Sequence, residues 1–377
     1  MTRLAQPDAD ALIEGLSAWV KVESPTASAA GVDRMKDLVV AEAGTAGIGC
    51  ERVPGREGLG GSVILRAGRD TGRPGILVLS HLDTVHPLGT LERDLPLRRE
   101  GDRLYGPGIY DMKGGAFLAL QAFKAVAASG TARLPITFLF TPDEEIGSPT
   151  TRDLIEDLGR AAAYALVTEP ARDGGRVVTS RKGVGRFAVA IEGRPAHAGA
   201  RHPDGRSAIR EAAHQIVAIE GLTDYERGVT TNVGVISGGT ADNVVPQHCG
   251  FGVDLRVVTP EDGELYASRL LGLTSIGPDI AVKVTGGMNR PPYERTEGNA
   301  ALFERARAMA AANGLDLRES ARTGGGSDGN FTAALGVPTL DGLGIDGEGA
   351  HTHHEHALVS SMQPRLHLMA SLLEGLD

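Results

Sequence analysis

Three short apolar segments constrain the fold of this chain more than any other feature of its sequence. They cover residues 76–79, 136–140 and 164–167, and each is four or five residues long. Segments of this length are too short for buried helices and are typical of strands that are buried on both faces. A helical pattern at residues 116–128 separates the first two. This alternation of strand, helix and strand predicts a mainly parallel sheet with helices on its faces.

The pattern of elements changes after about Lys182 and changes back after about residue 287. Between these points the sequence predicts, in order, a strand at 186–191, a helix at 207–219, strands at 232–236 and 251–258, a helix at 261–271 and a strand at 280–284. This β-α-β-β-α-β order is that of the ferredoxin-like unit. We therefore expect an α/β fold in which a discontinuous catalytic domain, residues 1–181 and 288–377, is interrupted by an inserted α+β domain at 182–287.

Composition narrows the classes of function. The formal net charge of −10 argues against a nucleic-acid or anionic-membrane surface, because both need clustered lysine and arginine. No apolar run approaches the roughly 20 residues of a membrane helix, and no apolar stretch typical of a secretory signal stands near the N-terminus. We expect a cytoplasmic protein with a small-molecule or peptide partner, in which Cys50 and Cys249 are reduced thiols.

Each of the three strands predicted for the parallel sheet is followed by an imidazole or a carboxylate. His81 and Asp83 follow the first strand, Glu144 and Glu145 the second, and Glu169 the third. Each alone would fit a loop histidine or a solvated acidic residue. Ligands of open α/β sheets bind at the carboxyl ends of the strands, and adjacent carboxylates repel each other unless a cation or proton compensates. Their convergence on one edge therefore predicts a metal site.

Two further segments add candidate ligands to this site. Asp111 precedes the helical pattern at 116–128, where it could instead be a capping residue. A histidine-dense loop near the C-terminus offers His351, His353, His354 and His356, and spacing alone does not select among them. Two imidazoles and three carboxylates suit a pair of ions such as Zn²⁺, with one carboxylate bridging. Such a pair activates water and stabilises an oxyanion during hydrolysis.

Five ordered motifs resemble those of the M20 family of metallopeptidases, and the resemblance covers nearly the whole chain. The family includes glutamate carboxypeptidases, aminoacylases, acetylornithine deacetylase and succinyl-diaminopimelate desuccinylase. The motifs are Ser80-His81-Leu82-Asp83-Thr84, Gly106-Pro107-Gly108 with Asp111-Met112-Lys113-Gly114-Gly115, Asp143-Glu144-Glu145-Ile146-Gly147, Thr168-Glu169-Pro170, and His351 with Glu355.

The resemblance assigns roles to these residues. It implies that Glu144 is the general base and that Asp83 accepts a hydrogen bond from His81 and fixes its tautomer. His351 is selected because Glu355 follows four residues later, although the additional histidines of this loop depart from the family pattern. The implied cofactors are two Zn²⁺ ions, with Co²⁺ or Mn²⁺ also acceptable, held by His81, Asp111 and Glu169 on one side and by Asp111, Glu145 and His351 on the other.

The resemblance also implies roles for the inserted domain, as a lid and as the surface of a homodimer. His197 resembles a histidine that stabilises the oxyanion, often across a dimer, although it could be a surface loop residue. Asn243 and Arg256 resemble substrate contacts and could instead be structural. Arg290 could bind a carboxylate or form a hinge salt bridge. The glycine-rich segment 324–329 offers backbone N–H groups for a carboxylate at Gly326 and Ser327.

Three functions are compatible with these residues. The first is a glutamate-carboxypeptidase-like enzyme that releases a C-terminal acidic or similar residue from a peptide or N-acyl conjugate. The second is an N-acyl-amino-acid deacylase of the acetylornithine deacetylase or desuccinylase type, which uses the same metal chemistry. The third is a catalytically silent metal-binding protein, against which the presence of Glu144 and of every expected ligand argues.

Overall fold

A computed structural model describes residues 8–69 and 71–377, and the chain divides into two compact units. The first unit runs to Ser180 and resumes over Arg295–Thr323 and Ser327–Asp377. The second unit consists of Arg181–Glu294 and Gly324–Gly326. The second unit is therefore inserted into the first, and the short segment Gly324–Gly326 adds to it after the chain has returned to the first unit.

Several helices are capped by the polar side chains that precede them. Asp8, Ser28, Ser207, Thr259 and Thr296 each accept a backbone N–H from the first turn of a helix. Among residues 8–69 and 71–377, no helix combines the length and apolar character needed to cross a membrane. The helices are α1 (Ala9–Val20), α2 (Ala29–Thr45), α3 (Thr90–Arg93), α4 (Gly114–Ser129), α5 (Arg152–Arg160), α6 (Ala208–Glu220), α7 (Pro260–Leu271), α8 (Glu297–Ala312), α9 (Gly329–Ala334) and α10 (Val359–Gly375).

The strands form separate sheets in the two units. In chain order they are β1 (Cys50–Val53), β2 (Ser62–Ala67), β3 (Gly75–His81), β4 (Arg98–Glu100), β5 (Arg103–Tyr105), β6 (Ile136–Thr141), β7 (Ala162–Val167), β8 (Gly183–Glu192), β9 (Ala196–His197), β10 (Thr230–Gly238), β11 (Val244–Val245), β12 (His248–Val257), β13 (Ala281–Arg290), β14 (Thr339–Leu340), β15 (Gly347–Glu348) and β16 (His356–Leu358).

A six-stranded sheet of order β1-β2-β6-β3-β7-β14 forms the centre of the first unit. Strands β6, β3, β7 and β14 are parallel, and β2 and β1 add an antiparallel edge. A smaller antiparallel sheet of order β15-β16-β5-β4 belongs to the same unit. The predicted mainly parallel α/β fold is confirmed.

Successive residues of β3 pack into different cores on the two faces of the sheet. Ile76 and Val78 face the larger core, which the helices α1, α2, α4, α8 and α10 cover. Leu77 and Leu79 face a smaller core that also contains Ile155 of α5 and Phe331 of α9. Burial on both faces explains why this strand is continuously apolar in sequence.

Apart from the two-residue strands β9 and β11, which pair with each other, the second unit has the element order β8, α6, β10, β12, α7, β13. Its sheet order is β10-β12-β8-β13, and every neighbouring pair is antiparallel. Buried side chains alternate along β8 and β12, and the buried face packs against α6 and α7. The β-α-β-β-α-β order predicted for this segment is the one observed.

The start of α4 lies against the end of β7, and glycine makes this approach possible. A Cβ atom on Gly115 would lie 2.0 Å from the carbonyl oxygen of Thr168 and 2.9 Å from the Cα atom of Gly344. Both neighbours are backbone atoms, so they cannot move away as a flexible side chain would. Gly115 therefore sets the distance between the loop that carries Asp111 and the strand that precedes Glu169.

We predict that Gly115→Ala lowers the free energy of unfolding of the first unit by at least about 2 kcal/mol, because the new methyl group forces backbone atoms apart. Gly44→Ala is the matched control. Gly44 lies in α2, and a Cβ atom there would have no neighbour within 4 Å, so alanine should raise stability by about 0.5–1 kcal/mol. Urea unfolding of both variants measures the difference, and equal stabilities would contradict the close approach at Gly115.

Candidate metal centre

The carboxyl ends of β3, β6 and β7 bring one imidazole and three carboxylates together. His81 is the last residue of β3, and its Nε2 atom lies 4.0 Å from Glu144 Oε2 and 3.7 Å from Glu169 Oε1. Glu144 and Glu145 begin a short helical turn after β6. The ligand atoms of His81, Glu144 and Glu169 all lie within 4.8 Å of one another.

Asp111 and His351 complete the cluster from two loops of the same unit. Asp111 Oδ1 lies 3.3 Å from His81 Nε2, and Asp111 Oδ2 lies 3.3 Å from His351 Nε2. His351 Nε2 also lies 3.3 Å from Glu145 Oε2. The two oxygens of Asp111 thus face two different histidines, which is the arrangement expected of a bridging carboxylate.

The residues around His81 fit a metal ion better than a hydrogen-bond network. His81 Nδ1 lies 2.9 Å from the carbonyl oxygen of Asp83, which can only accept, so in the neutral imidazole the ring proton is on Nδ1 and the Nε2 lone pair faces the cluster. Within the described chain, the buried atoms His81 Nε2 and Glu145 Oε1 have no hydrogen-bond partner. Cations bound among these oxygens and nitrogens would satisfy these atoms.

The cluster also has strongly shifted acid–base equilibria. Burial together with the Asp111 charge raises the pKa of Glu145 to about 8. Contacts with Asp111 and Glu145 raise the pKa of His351 to about 10. Burial lowers the pKa of His81, but the Asp111 and Asp83 carboxylates outweigh it, and the net pKa lies well above the ordinary value. Divalent cations compete with protons for the same ligand atoms, so a cluster with this affinity for protons also favours metal ions.

Asp83 holds the turn that carries the two adjacent glutamates. Its buried carboxylate accepts the backbone N–H groups of Glu144 and Glu145, both at 3.2 Å, and the hydroxyl proton of Thr26 at 2.6 Å. Asp83 Oδ1 also lies 3.4 Å from His81 Nδ1. One carboxylate therefore touches both His81 and the Glu144–Glu145 turn. Thr26 belongs to none of the sequence motifs, so the sequence does not predict its hydrogen bond to Asp83.

The histidines of the C-terminal loop have different surroundings. His353 and His354 are exposed. His356 is buried and packs against the Tyr105 ring, with 5.1 Å between ring centroids. His351, at a backbone φ of 64°, is the one whose Nε2 atom reaches Asp111 and Glu145. The geometry therefore distinguishes His351 from the other three histidines, which spacing alone does not.

The second unit places two of its predicted site residues on one ribbon. β9 and β11 pair so that His197 lies opposite Val244, and the Ala198 N–H donates to the Asn243 carbonyl at 2.9 Å. His197 Nδ1 accepts the backbone N–H groups of Gly199 and Ala200, so the ring proton is on Nε2. His197 is exposed, and this tautomer presents a hydrogen-bond donor.

The remaining predicted substrate contacts already have neighbours within their own units. Arg256 donates to both oxygens of Asp254 at 2.7 and 2.8 Å. Gly326 lies against Arg290, where a Cβ atom would come within 2.7 Å of Arg290 Cδ. Ser327 belongs to the first unit; it is fully buried and donates its hydroxyl proton to Asp341 at 2.5 Å.

Comparison with known proteins places these observations in a family. The model of peptidase family M20/M25/M40 matches residues 77–375. The chain belongs to this family. Carboxypeptidase G2 from Pseudomonas sp. (strain RS-16) is 31% identical over 99% of this chain and 91% of its own length. Acetylornithine deacetylase from Myxococcus xanthus is 33% identical over 55% of this chain and 56% of its own length.

Solved structures share the fold over nearly the whole chain. A tripeptidase from Staphylococcus aureus has a TM-score of 0.77 at 21% identity and covers 98% of this chain and 99% of its own. A dinuclear metal-binding peptidase of the M20 family from Bacillus subtilis has a TM-score of 0.67 at 15% identity and covers 98% of this chain and 99% of its own. The resemblance to the M20 family drawn from the sequence motifs is confirmed.

Proposed function

We propose that this M20 family member is a di-zinc carboxypeptidase that releases a C-terminal glutamate-like residue from a peptide or N-acyl conjugate. The observation that carries the proposal is the cluster of two imidazoles and four carboxylates at one edge of the sheet, in which buried atoms of His81 and Glu145 lack other partners among the described residues. The similarity to carboxypeptidase G2 along 99% of the chain supports the class of substrate.

The ligands divide into two sets that share Asp111. His81, Asp111 and Glu169 would hold one ion, and Asp111, Glu145 and His351 the other. Asp111 Oδ1 faces His81 and Asp111 Oδ2 faces His351, and this arrangement supports the division. When bound, ions of this kind lower the pKa of water and polarise a carbonyl oxygen.

Proton transfer and substrate orientation belong to residues of the chain. In our proposal Glu144 takes the proton from the attacking water and gives it to the leaving nitrogen, which requires that its carboxylate not be a ligand. Asp83 keeps Glu144 in place through the backbone N–H of the turn. By the family resemblance we also propose that the Nε2–H of His197 stabilises the oxyanion and that Asn243, Arg256, Arg290 and Gly326 contact the substrate. The sequence predicts Ser327 as a further contact, but this residue is fully buried and donates its hydroxyl proton to Asp341, so it is left out of the proposal.

The two adjacent glutamates provide a sharp test of these roles, because both lie near His81 or His351. We predict that Glu144→Gln keeps both metal ions and loses about 100- to 10,000-fold in kcat, since only the proton carrier is removed. Glu145→Gln should instead lower the metal content toward one ion per chain. Metal analysis and kinetics check both variants. Loss of metal in Glu144→Gln with full metal content in Glu145→Gln would contradict the assignment and exchange the two roles.

The partial similarity to acetylornithine deacetylase supports a second candidate, an N-acyl-amino-acid deacylase, in which the other side of the amide is recognised. We predict that kcat/KM is highest for folate-type and dipeptide substrates with a C-terminal glutamate. Protein of measured metal content should be assayed on these beside N-acetylated amino acids. Turnover of the acetylated substrates alone would contradict the carboxypeptidase proposal and establish the deacylase.

We propose that the protein forms a homodimer through the second unit, which exposes apolar side chains on an edge strand. Strand β10 is at one edge of its sheet, and Val235 and Ile236 on it are 73% and 51% exposed. Val217 of the neighbouring helix α6 is 75% exposed. An exposed edge strand with apolar side chains favours pairing with another chain.

We predict that light scattering gives the mass of a dimer and that Val235→Glu shifts it toward the 39.3 kDa monomer, because the new charge would be buried between two copies. Ile276→Glu is the matched control, since Ile276 is also an exposed apolar residue of this unit but lies outside α6 and β10. A monomeric wild-type protein, or an equal effect of both substitutions, would contradict an interface at β10.

A further inference from the structure

Glu355 is a fully buried carboxylate that is surrounded by backbone N–H groups and an imidazole. Glu355 Oε1 accepts the backbone N–H groups of Tyr110 and Asp111, both at 2.9 Å. Glu355 Oε2 accepts the backbone N–H of Gly108 at 2.9 Å and faces His86 Nε2 at 2.6 Å.

These four contacts exclude Glu355 as a metal ligand. An ionised carboxylate has about four lone-pair sites, and four donors occupy them here. The residue therefore acts on its protein neighbours, and its negative charge is stabilised by backbone N–H groups and by the His86 imidazole.

The donors come from the loops that carry proposed metal ligands. Gly108 and Tyr110 precede Asp111, whose own backbone N–H is the third donor. His86 stands in the loop that follows His81, and Glu355 itself comes four residues after His351. One carboxylate thus joins the segments that position His81, Asp111 and His351.

We propose that Glu355, assisted by His86, is a positioning residue that fixes the bridging carboxylate Asp111 relative to His351. This inference rests on the proposed two-metal function. Because Glu355 accepts the N–H of Asp111 itself, it fixes the point from which the bridging side chain leaves the backbone. Partners that orient metal ligands in this way are usually worth about 10- to 100-fold in metal affinity.

The chain contains a matched control for this role. Glu23 is a half-buried carboxylate of the first unit that also accepts two backbone N–H groups, those of Gly89 and Leu91 at 2.8 and 2.9 Å. Neither donor is adjacent in sequence to a proposed ligand. Glu23→Gln should therefore cost stability without changing the metal site.

The test is a Co²⁺ titration of the full-length apoprotein, followed through the visible absorption bands that report cobalt coordination. We expect Glu355→Gln to raise the dissociation constant of at least one Co²⁺ ion by about 10- to 100-fold and to alter the bands of the bound ion. Glu23→Gln should leave both the affinity and the bands unchanged. His86→Phe, which removes one donor, should weaken Co²⁺ binding in the same direction as Glu355→Gln by a smaller factor.

The outcomes separate this inference from the proposed function. Wild-type protein that binds no Co²⁺ overturns both. Wild-type protein that binds two ions, with the same affinity and bands in Glu355→Gln, overturns the positioning role alone. Should Glu355→Gln not fold, His86→Phe decides, because wild-type affinity and bands in that variant would contradict the proposal.

Discussion

The parallel pairing of β3 with both β6 and β7 brings the carboxyl ends of three buried strands to one edge of the central sheet. His81 pairs with Thr141, and Leu79 pairs with Val167. The residues that follow these strands therefore lie close together at one edge of the sheet. These segments carry acidic side chains that are largely removed from water. Buried carboxylates are costly unless positive charge compensates them, and the geometry of this edge leaves a cation as the natural partner.

Contacts to the backbone help to hold the site in shape. Gly115 lets the loop after Asp111 reach the backbone before Glu169, and Asp83 fixes the Glu144–Glu145 turn through two N–H groups. Glu355 does the same for Asp111. Each of these contacts is made by a residue outside the proposed ligand set, which explains how loops present ligand atoms at defined distances.

Much of the fold was predictable because its central elements are long or continuously apolar. Strands β4 and β15 carry no such pattern, since they have three and two residues and mostly exposed side chains. Short strands of this kind are stabilised by partners distant in sequence, so local patterns do not identify them. Helix α5 was likewise not predicted, although it packs against α9 on the second face of the sheet.

The candidate site was predictable to a different degree for different residues. Strand ends identify His81, Glu144, Glu145 and Glu169, because parallel strands share one edge. Selecting His351 from its loop depends on a turn with positive φ, a backbone feature that the sequence does not show. His86 and Thr26 act through hydrogen bonds to Glu355 and Asp83, and only the folded chain brings these pairs together.

Anomalous X-ray scattering from zinc-loaded crystals tests most directly whether the site holds two metal ions that share Asp111. Two anomalous peaks should lie on either side of Asp111, one beside His81 and Glu169 and the other beside Glu145 and His351. Glu144 should contact neither peak. A single peak, a peak bound by Glu144, or zinc held only by the exposed His353 and His354 would contradict the two-metal account.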